Sequence, residues 1–280
     1  MRVAVVQLNS NDDIARNVRA AGEQVAAAAA AGATFVALPE KWSLLSDGPT
    51  TLRLAEPLDG TAVSAAREWA RSHRIHLLAG SVAELVPGEE KLANTSLLID
   101  PDGEIVARYR KIHMFDVNVG EVSYRESAHE RAGSETVVTK LDGIGVGMTV
   151  CYDLRFPELF RILAIGGARL ITVPSAFTAV TGRDHWEILL RARAIENQAF
   201  VVAPNQVGPA PPEYESWGHS LIADPWGIVL AEVVEGVGYA LGDLDFAEQE
   251  RIRRDLPSLA NRRPDAYEWP TAAQPLGTVG

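Results

Sequence analysis

Apolar positions along this chain follow two rhythms. Compact apolar runs predict buried strands at residues 3–8 (VAVVQL), 34–38, 75–82, 95–99, 105–109, 143–150, 170–173 and 200–203. Between several of them the apolar residues recur at helical spacing, over 13–31, 61–73, 157–165 and 184–197. Asn11 or Asp12 offers a side-chain oxygen to cap the first helix, and Gly32 stands just past its end. Pro157 opens the third helix at a position where a missing N–H costs nothing. Pro101-Asp102-Gly103 predicts a hairpin turn, and Asp224-Pro225-Trp226-Gly227 a second one within 220–231. Residues 112–135 show no period and many charges, so a long functional loop is expected there.

The order β-α-β-α-β followed by a hairpin occurs twice, and no linker rich in Ser or Pro divides the two halves. That predicts an α/β fold, one domain over residues 1–280 with internal two-fold character and helices outside packed sheets. Beyond about residue 245 the chain is charged and lacks a core pattern. It is expected to form a tail on the surface or against a partner subunit.

Composition narrows the function classes. The 280 residues are 47% hydrophobic, enough for a large core, and carry a net charge of −11. An acidic chain repels phosphate backbones, so no nucleic-acid partner is expected. No apolar run reaches the roughly 20 residues that cross a bilayer, and the alanine-rich 25–31 is helix-forming but weakly hydrophobic. The start, MRVAVVQLNS, lacks the apolar region and cleavage site of a secretory signal, so a cytoplasmic location is expected with no membrane partner. With one cysteine, no internal disulfide or Cys-rich metal site can form.

That cysteine, Cys151, follows the strand GIGVGMTV and precedes the proline-initiated helix. A nucleophile at such an elbow is exposed at the strand end, near backbone N–H groups able to hold an oxyanion. A helix N-terminus is also expected to lower the thiol pKa. The opposing reading is a buried, inert core cysteine. A papain-like thiol would need a histidine base, and none of His73, His76, His113, His129, His185 and His219 is placed beside Cys151 by sequence. Glu40 and Lys111 stand at the ends of two other predicted strands, where α/β sites form. A carboxylate can take a thiol proton and an ammonium can hold negative charge, which suits acyl transfer. The opposing reading of each is an ordinary surface charge.

Three segments change this balance. LPEKW at 38–42, RKIHMFD at 110–116 and VCYDLRFPELFR at 150–161 resemble the signature segments of the nitrilase (carbon–nitrogen hydrolase) superfamily. The resemblance extends through 173–206, GHSLIADPWG at 218–227 and RRDLPSLANRRPDAY at 253–267, closest to the Nit subfamily of ω-amidases and deaminated glutathione amidases. It implies an α-β-β-α sandwich that pairs in a homodimer, or a larger homo-oligomer, as α-β-β-α-α-β-β-α. It implies Glu40 as general base, Lys111 as stabiliser, Cys151 as nucleophile and Glu126, in YRES, as orienting acid. The backbone N–H of Tyr152 would complete the oxyanion site, and Arg155, Phe177 and Thr178 would bind substrate. Asp153, Glu158, His185 and Trp186 are expected to support the site, with Trp217 and His219 near its rim or in ordinary packing. Neither metal nor cofactor is needed for this chemistry.

The expected substrate is a small carboxylate-bearing amide of the deaminated glutathione or α-ketoglutaramate type. N-carbamoyl amino acids and aliphatic amides come second, nitriles third. A non-catalytic binding module would have no need of Glu40, Lys111 and Cys151 together. The sequence departs from the Nit pattern at 117–123, which lacks an expected proline, and at 208–216, which is rich in proline.

Overall fold

The structure, a computed structural model, describes residues 1–119, 122–210 and 214–266. Parts of the two departing loops, and the end of the C-terminal segment at Tyr267 and beyond, lie outside the described residues.

Strand β1 (Arg2–Gln7) sets the layering. Val3 and Val5 face a core shared with the second half of the chain, while Ala4 and Val6 face helices. Burial on both faces explains its unbroken apolar sequence. Helix α1 (Ile14–Ala30), β2 (Phe35–Ala37), α2 (Gly48–Leu54), α3 (Thr61–His73) and β3 (His76–Leu78) follow. β1, β2 and β3 run parallel. Ala21, Val25 and Ala28 of α1 and Ala62, Val63, Ala66 and Ala70 of α3 cover their outer face. The small side chains let those helices lie close to the sheet. β4 (Val82–Glu84), β5 (Ala93–Ile99) and β6 (Ile105–Arg110) add antiparallel pairings.

A hairpin, β7 (Asp116–Val119) and β8 (Val122–Arg125), leads to the second half. There β9 (Val137–Leu141), β10 (Ile144–Met148), α4 (Pro157–Ile165), β11 (Leu170–Thr172), α5 (Ala179–Asn197) and β12 (Phe200–Ala203) repeat the scheme. A small hairpin, β13 (Val207–Ala210) with β14 (Tyr214–Trp217), precedes β15 (Ser220–Ala223) and β16 (Val229–Val233). β17 (Gly238–Asp243) then returns to pair antiparallel with β1, and α6 (Phe246–Asp255) follows.

Among the described residues the two main sheets run β17-β1-β2-β3-β5-β4, with β6 on β5, and β16-β15-β12-β11-β10-β9. Each has three parallel strands flanked by antiparallel ones, which is the two-fold character expected. The layers are α-β-β-α. β10 shows why its sequence is glycine-rich. A Cβ on Gly145 would stand 2.1 Å from the Gly167 carbonyl oxygen, and one on Gly147 would stand 3.1 Å from Leu163 of α4. The intervening Val146 joins the core between the sheets.

Several expectations are corrected. Asp13, not Asn11 or Asp12, caps α1, accepting from the Arg16 N–H at 2.9 Å. The strand expected at 75–82 breaks into β3 and β4 around Gly80, which takes φ +25°. A Cβ there would stand 1.9 Å from the Pro39 carbonyl oxygen, so glycine lets the two strand ends close on each other. α5 starts at Ala179, five residues before the expected position. Its Gly182, a weak helix former, packs beneath Trp217. The region 112–135 contains the β7–β8 hairpin and a short 3-10 turn, Glu126–Ala128. The stretch after 245 is not simply a charged tail. α6 buries Gln249, which accepts from the Arg169 guanidinium and donates to the Arg169 and Gln198 carbonyls.

Candidate active site

Strand ends converge on one cavity of about 410 Å³, a size suited to a small molecule. Glu40 lies just past β2, Lys111 just past β6 and Cys151 three residues past β10, and all three line the cavity. The Glu40 turn is pinned from both sides. The Gln206 side-chain amide donates to the Glu40 carbonyl at 3.0 Å, and the Lys41 N–H to Ser81 Oγ at 3.0 Å. The end of β6 is fixed by the Lys111 N–H donating to the Asn94 carbonyl at 2.9 Å.

The Glu40 carboxylate accepts three hydrogen bonds, from Lys111 Nζ at 3.0 Å, Asn94 Nδ2 at 2.8 Å and the Ala176 N–H at 2.8 Å. Lys111, only 2% exposed, also donates to both oxygens of Glu126 at 2.9 Å. Burial works against its ammonium, yet Glu126 and Glu40 hold its pKa well above the ordinary lysine value. Burial likewise opposes the Glu126 carboxylate, but Lys111, Lys41 and the Phe115 N–H bring its pKa down to about 2. Lys111 is therefore a fixed cation, held between two carboxylates.

Cys151 takes a left-handed backbone conformation, φ +48°, and its N–H donates to the Pro174 carbonyl at 2.9 Å. Such strain in a non-glycine residue persists only where its surroundings enforce it. The short 3-10 helix Cys151–Arg155 begins at this residue. The expected lowering of the thiol pKa is not found. Burial pushes it well above the ordinary value, and the negative charge of nearby Glu40 pushes it further, against the pull of Lys111. The group at rest is a thiol. The Tyr152 N–H lies in the first helical turn, where backbone donors have no intrahelical acceptor.

Arg155, Phe177 and Thr178 line the cavity as well. The Arg155 guanidinium sits 5.0 Å from the Phe177 ring centroid, and Nη1 is 3.2 Å from His185 Nδ1. Among the described residues no ion pair joins it to Asp153 or Glu158. Thr178 caps α5 through Thr181. Asp153 is fully buried and ties two strand ends together. It accepts from Tyr109 OH at 2.6 Å, the Val150 N–H at 2.8 Å and the His113 N–H at 3.2 Å. Trp186 packs against Phe177. Glu158 is exposed on the first turn of α4 and is not part of the cavity lining. Trp217 and His219 stack on each other outside the cavity lining, and His219 pairs with Glu232 at 2.7 Å.

Sequence reasoning missed three polar residues. Asn94 bridges Glu40 and Glu126, at 2.8 and 3.4 Å. Its only signal is an amide inside the apolar strand ANTSLLI. Lys41 and Glu130 also line the cavity and form an ion pair at 2.5 Å. Lys41 adjoins Glu40 in sequence, whereas Glu130 is one acid among several in a charged loop.

Fold and cavity together define a class, an α-β-β-α protein with a buried thiol, carboxylate and ammonium at converging strand ends. The carbon-nitrogen hydrolase family model matches residues 2–254, and the chain belongs to that family, within the nitrilase superfamily. It is a hydrolase of carbon–nitrogen bonds. A deaminated glutathione amidase of Synechocystis sp. is 39% identical over 263 residues, 92% of this chain and 97% of that protein. The C. elegans NitFhit crystal structure superposes with a TM-score of 0.91 at 38% identity. The match covers 95% of this chain and 66% of that longer one. Saccharomyces cerevisiae Nit3, described as a member of branch 10 of the nitrilase superfamily, gives 0.84 at 30% identity, covering 92% and 94%.

Proposed function

We propose that this chain is a thiol amidase for small carboxylate-bearing amides of the deaminated glutathione or α-ketoglutaramate type. The observation that carries the mechanism is that Glu40 shares the cavity wall with Cys151 and pairs with Lys111 Nζ at 3.0 Å. Because the thiol is protonated at rest, Glu40 takes its proton as sulfur attacks the amide carbon. The oxyanion is held by the Lys111 ammonium and the Tyr152 N–H. Collapse breaks the C–N bond while Glu40 returns the proton to the leaving amine. Glu40 then deprotonates a water that cleaves the thioester, and sulfur regains the proton. Glu126 keeps Lys111 charged and aimed, and no metal or cofactor enters any step.

Substrate choice rests on Arg155, whose guanidinium suits a carboxylate, and on the Phe177 and Thr178 walls. The amidase names of the relatives support the same substrate class. The test is a panel of one α-keto dicarboxylic monoamide, one N-carbamoyl amino acid, one aliphatic amide and one nitrile. The keto monoamide should give the highest kcat/KM, by about tenfold or more, a difference of roughly 1.4 kcal/mol. A higher value for the carbamoyl compound would overturn the substrate assignment.

A cytoplasmic homodimer completes the reading, as one domain over 1–280. Among the described residues no helix is long and apolar enough to cross a membrane. Val180, Ile188 and Ile195 form an exposed apolar stripe along α5, beside Trp226 and Ile228 of the β15–β16 turn. Such a patch suits a second copy of the chain.

A further inference from the structure

Three carboxylates, of Glu40, Glu126 and Glu130, surround two ammoniums, of Lys41 and Lys111, at the inner end of the cavity. The three acids are held very unequally. Glu40 accepts from Lys111, Asn94 and the Ala176 N–H. Glu126 accepts from Lys111, Asn94 and the Phe115 N–H, with Lys41 3.7 Å away. Glu130 has Lys41 alone, through Oε1. Among the described residues nothing hydrogen-bonds its buried Oε2. A buried carboxylate with a bare oxygen is poorly compensated, which favours its taking up a proton.

Lys41 is placed to choose between partners. It lines the cavity next to Glu40 and holds a left-handed backbone conformation, φ +51°. Its ammonium touches Glu130 closely and Glu126 only at the limit of an ion pair. An incoming substrate carboxylate would add a fourth negative charge to this cluster. Resting on the amidase reading above, we propose that Lys41 is a second specificity-determining residue for anionic amides, in addition to Arg155. It leaves Glu130 for the substrate carboxylate, and Glu130 takes up a proton from solvent in exchange.

The charged groups acting on Glu130 are Lys41 from the turn after β2, Glu126 from its own 3-10 turn and Lys111 from the end of β6. Burial and Glu126 outweigh the two lysines and push its pKa up to about 7. Below that pH Glu130 is neutral and Lys41 is free to turn to the substrate. Above it, ionised Glu130 competes for the ammonium. Neighbouring His129, whose ring packs against Gly48 at the start of α2, also lines the cavity.

The experiment follows KM and kcat of the full-length enzyme between pH 5.5 and 8.5. Succinamate serves as the anionic amide and butyramide as its neutral counterpart. The ratio of the two KM values should rise about tenfold from pH 6 to pH 8, as one charge titrates near 7. Glu130→Gln should flatten that rise and keep the ratio at its low-pH value. Lys41→Met should raise the ratio about tenfold at pH 6 and also leave it flat. A purely structural ion pair would instead lower kcat for both amides and leave the ratio unmoved, which overturns the role. Should Lys41→Met fold poorly, Glu130→Gln carries the test alone, since an unchanged pH profile contradicts the proposal. If the wild-type enzyme hydrolyses neither amide, the amidase reading falls first and the role of Lys41 falls with it.

Discussion

Cys151→Ala is expected to reduce amide turnover by about 10⁶-fold, to background, because removing a nucleophile that acts as one unit with its base forfeits nearly all of the chemical rate. The residue is the chain's single cysteine, so no other thiol can substitute for it. Folding should survive. The side chain is small, lies at the cavity wall rather than deep in the core, and is 8% exposed. Its backbone strain at φ +48° is no worse for alanine than for cysteine. Ammonia release and the thermal midpoint, measured on the same preparation, check both halves. A variant that keeps its midpoint and loses activity fits a nucleophilic Cys151, and one that keeps turnover removes that role. The raised thiol pKa also fixes a pH trend. With substrate absent, alkylation of Cys151 by iodoacetamide should be slow at neutral pH and accelerate in alkali.

Lys111→Met is expected to strike activity and stability together. Loss of an oxyanion donor costs about 10²–10³-fold in kcat. The same change leaves Glu40 and Glu126 facing each other in a buried place without their shared cation. Breaking a buried ion pair in this way costs about 3–5 kcal/mol, and the thermal midpoint should fall by on the order of 10 °C. The pH dependence separates this from simple loss of packing. In the native protein Glu126 is held at about 2, below its ordinary 4.5. Its stabilising contribution is therefore full above pH 4.5 and is lost as pH falls toward 2. Without Lys111 that contribution is missing from the start. The deficit of the variant should be largest near neutral pH and shrink on acidification. Calorimetry from pH 3 to pH 8 measures it, and a deficit independent of pH would indicate packing alone.

The sequence made the strands and longer helices legible because burial on both faces leaves unbroken apolar runs, as in VAVVQL. The 61–73, 157–165 and 200–203 elements have the bounds read from the sequence. Short edge elements were not legible. β9, β17 and the β13–β14 hairpin have mixed polarity, since one side of each faces solvent or a loop. α6 escaped notice because only Gln249 and Ile252 of its ten residues are buried, and Gln249 is satisfied only by tertiary hydrogen bonds. At the site, Glu40, Lys111 and Cys151 stood out through their places at strand ends and the motifs around them. The resting state of the thiol did not. It depends on how deeply the cavity wall buries Cys151 and on its distance from Glu40, and neither is written in local sequence. Lys41 and Glu130 were hidden for a related reason. They are 89 residues apart and meet only when the loop after β8 folds over the end of β2.

If Cys151 is the nucleophile, it carries the acyl group between amine release and hydrolysis. The most direct measurement is acid quenching during steady turnover of a keto monoamide, followed by peptide mass analysis. The Cys151 peptide should gain a mass equal to the acyl group, removable by hydroxylamine as a thioester should be. An unmodified Cys151 peptide throughout turnover, with the acyl group on another residue, would contradict a nucleophilic Cys151.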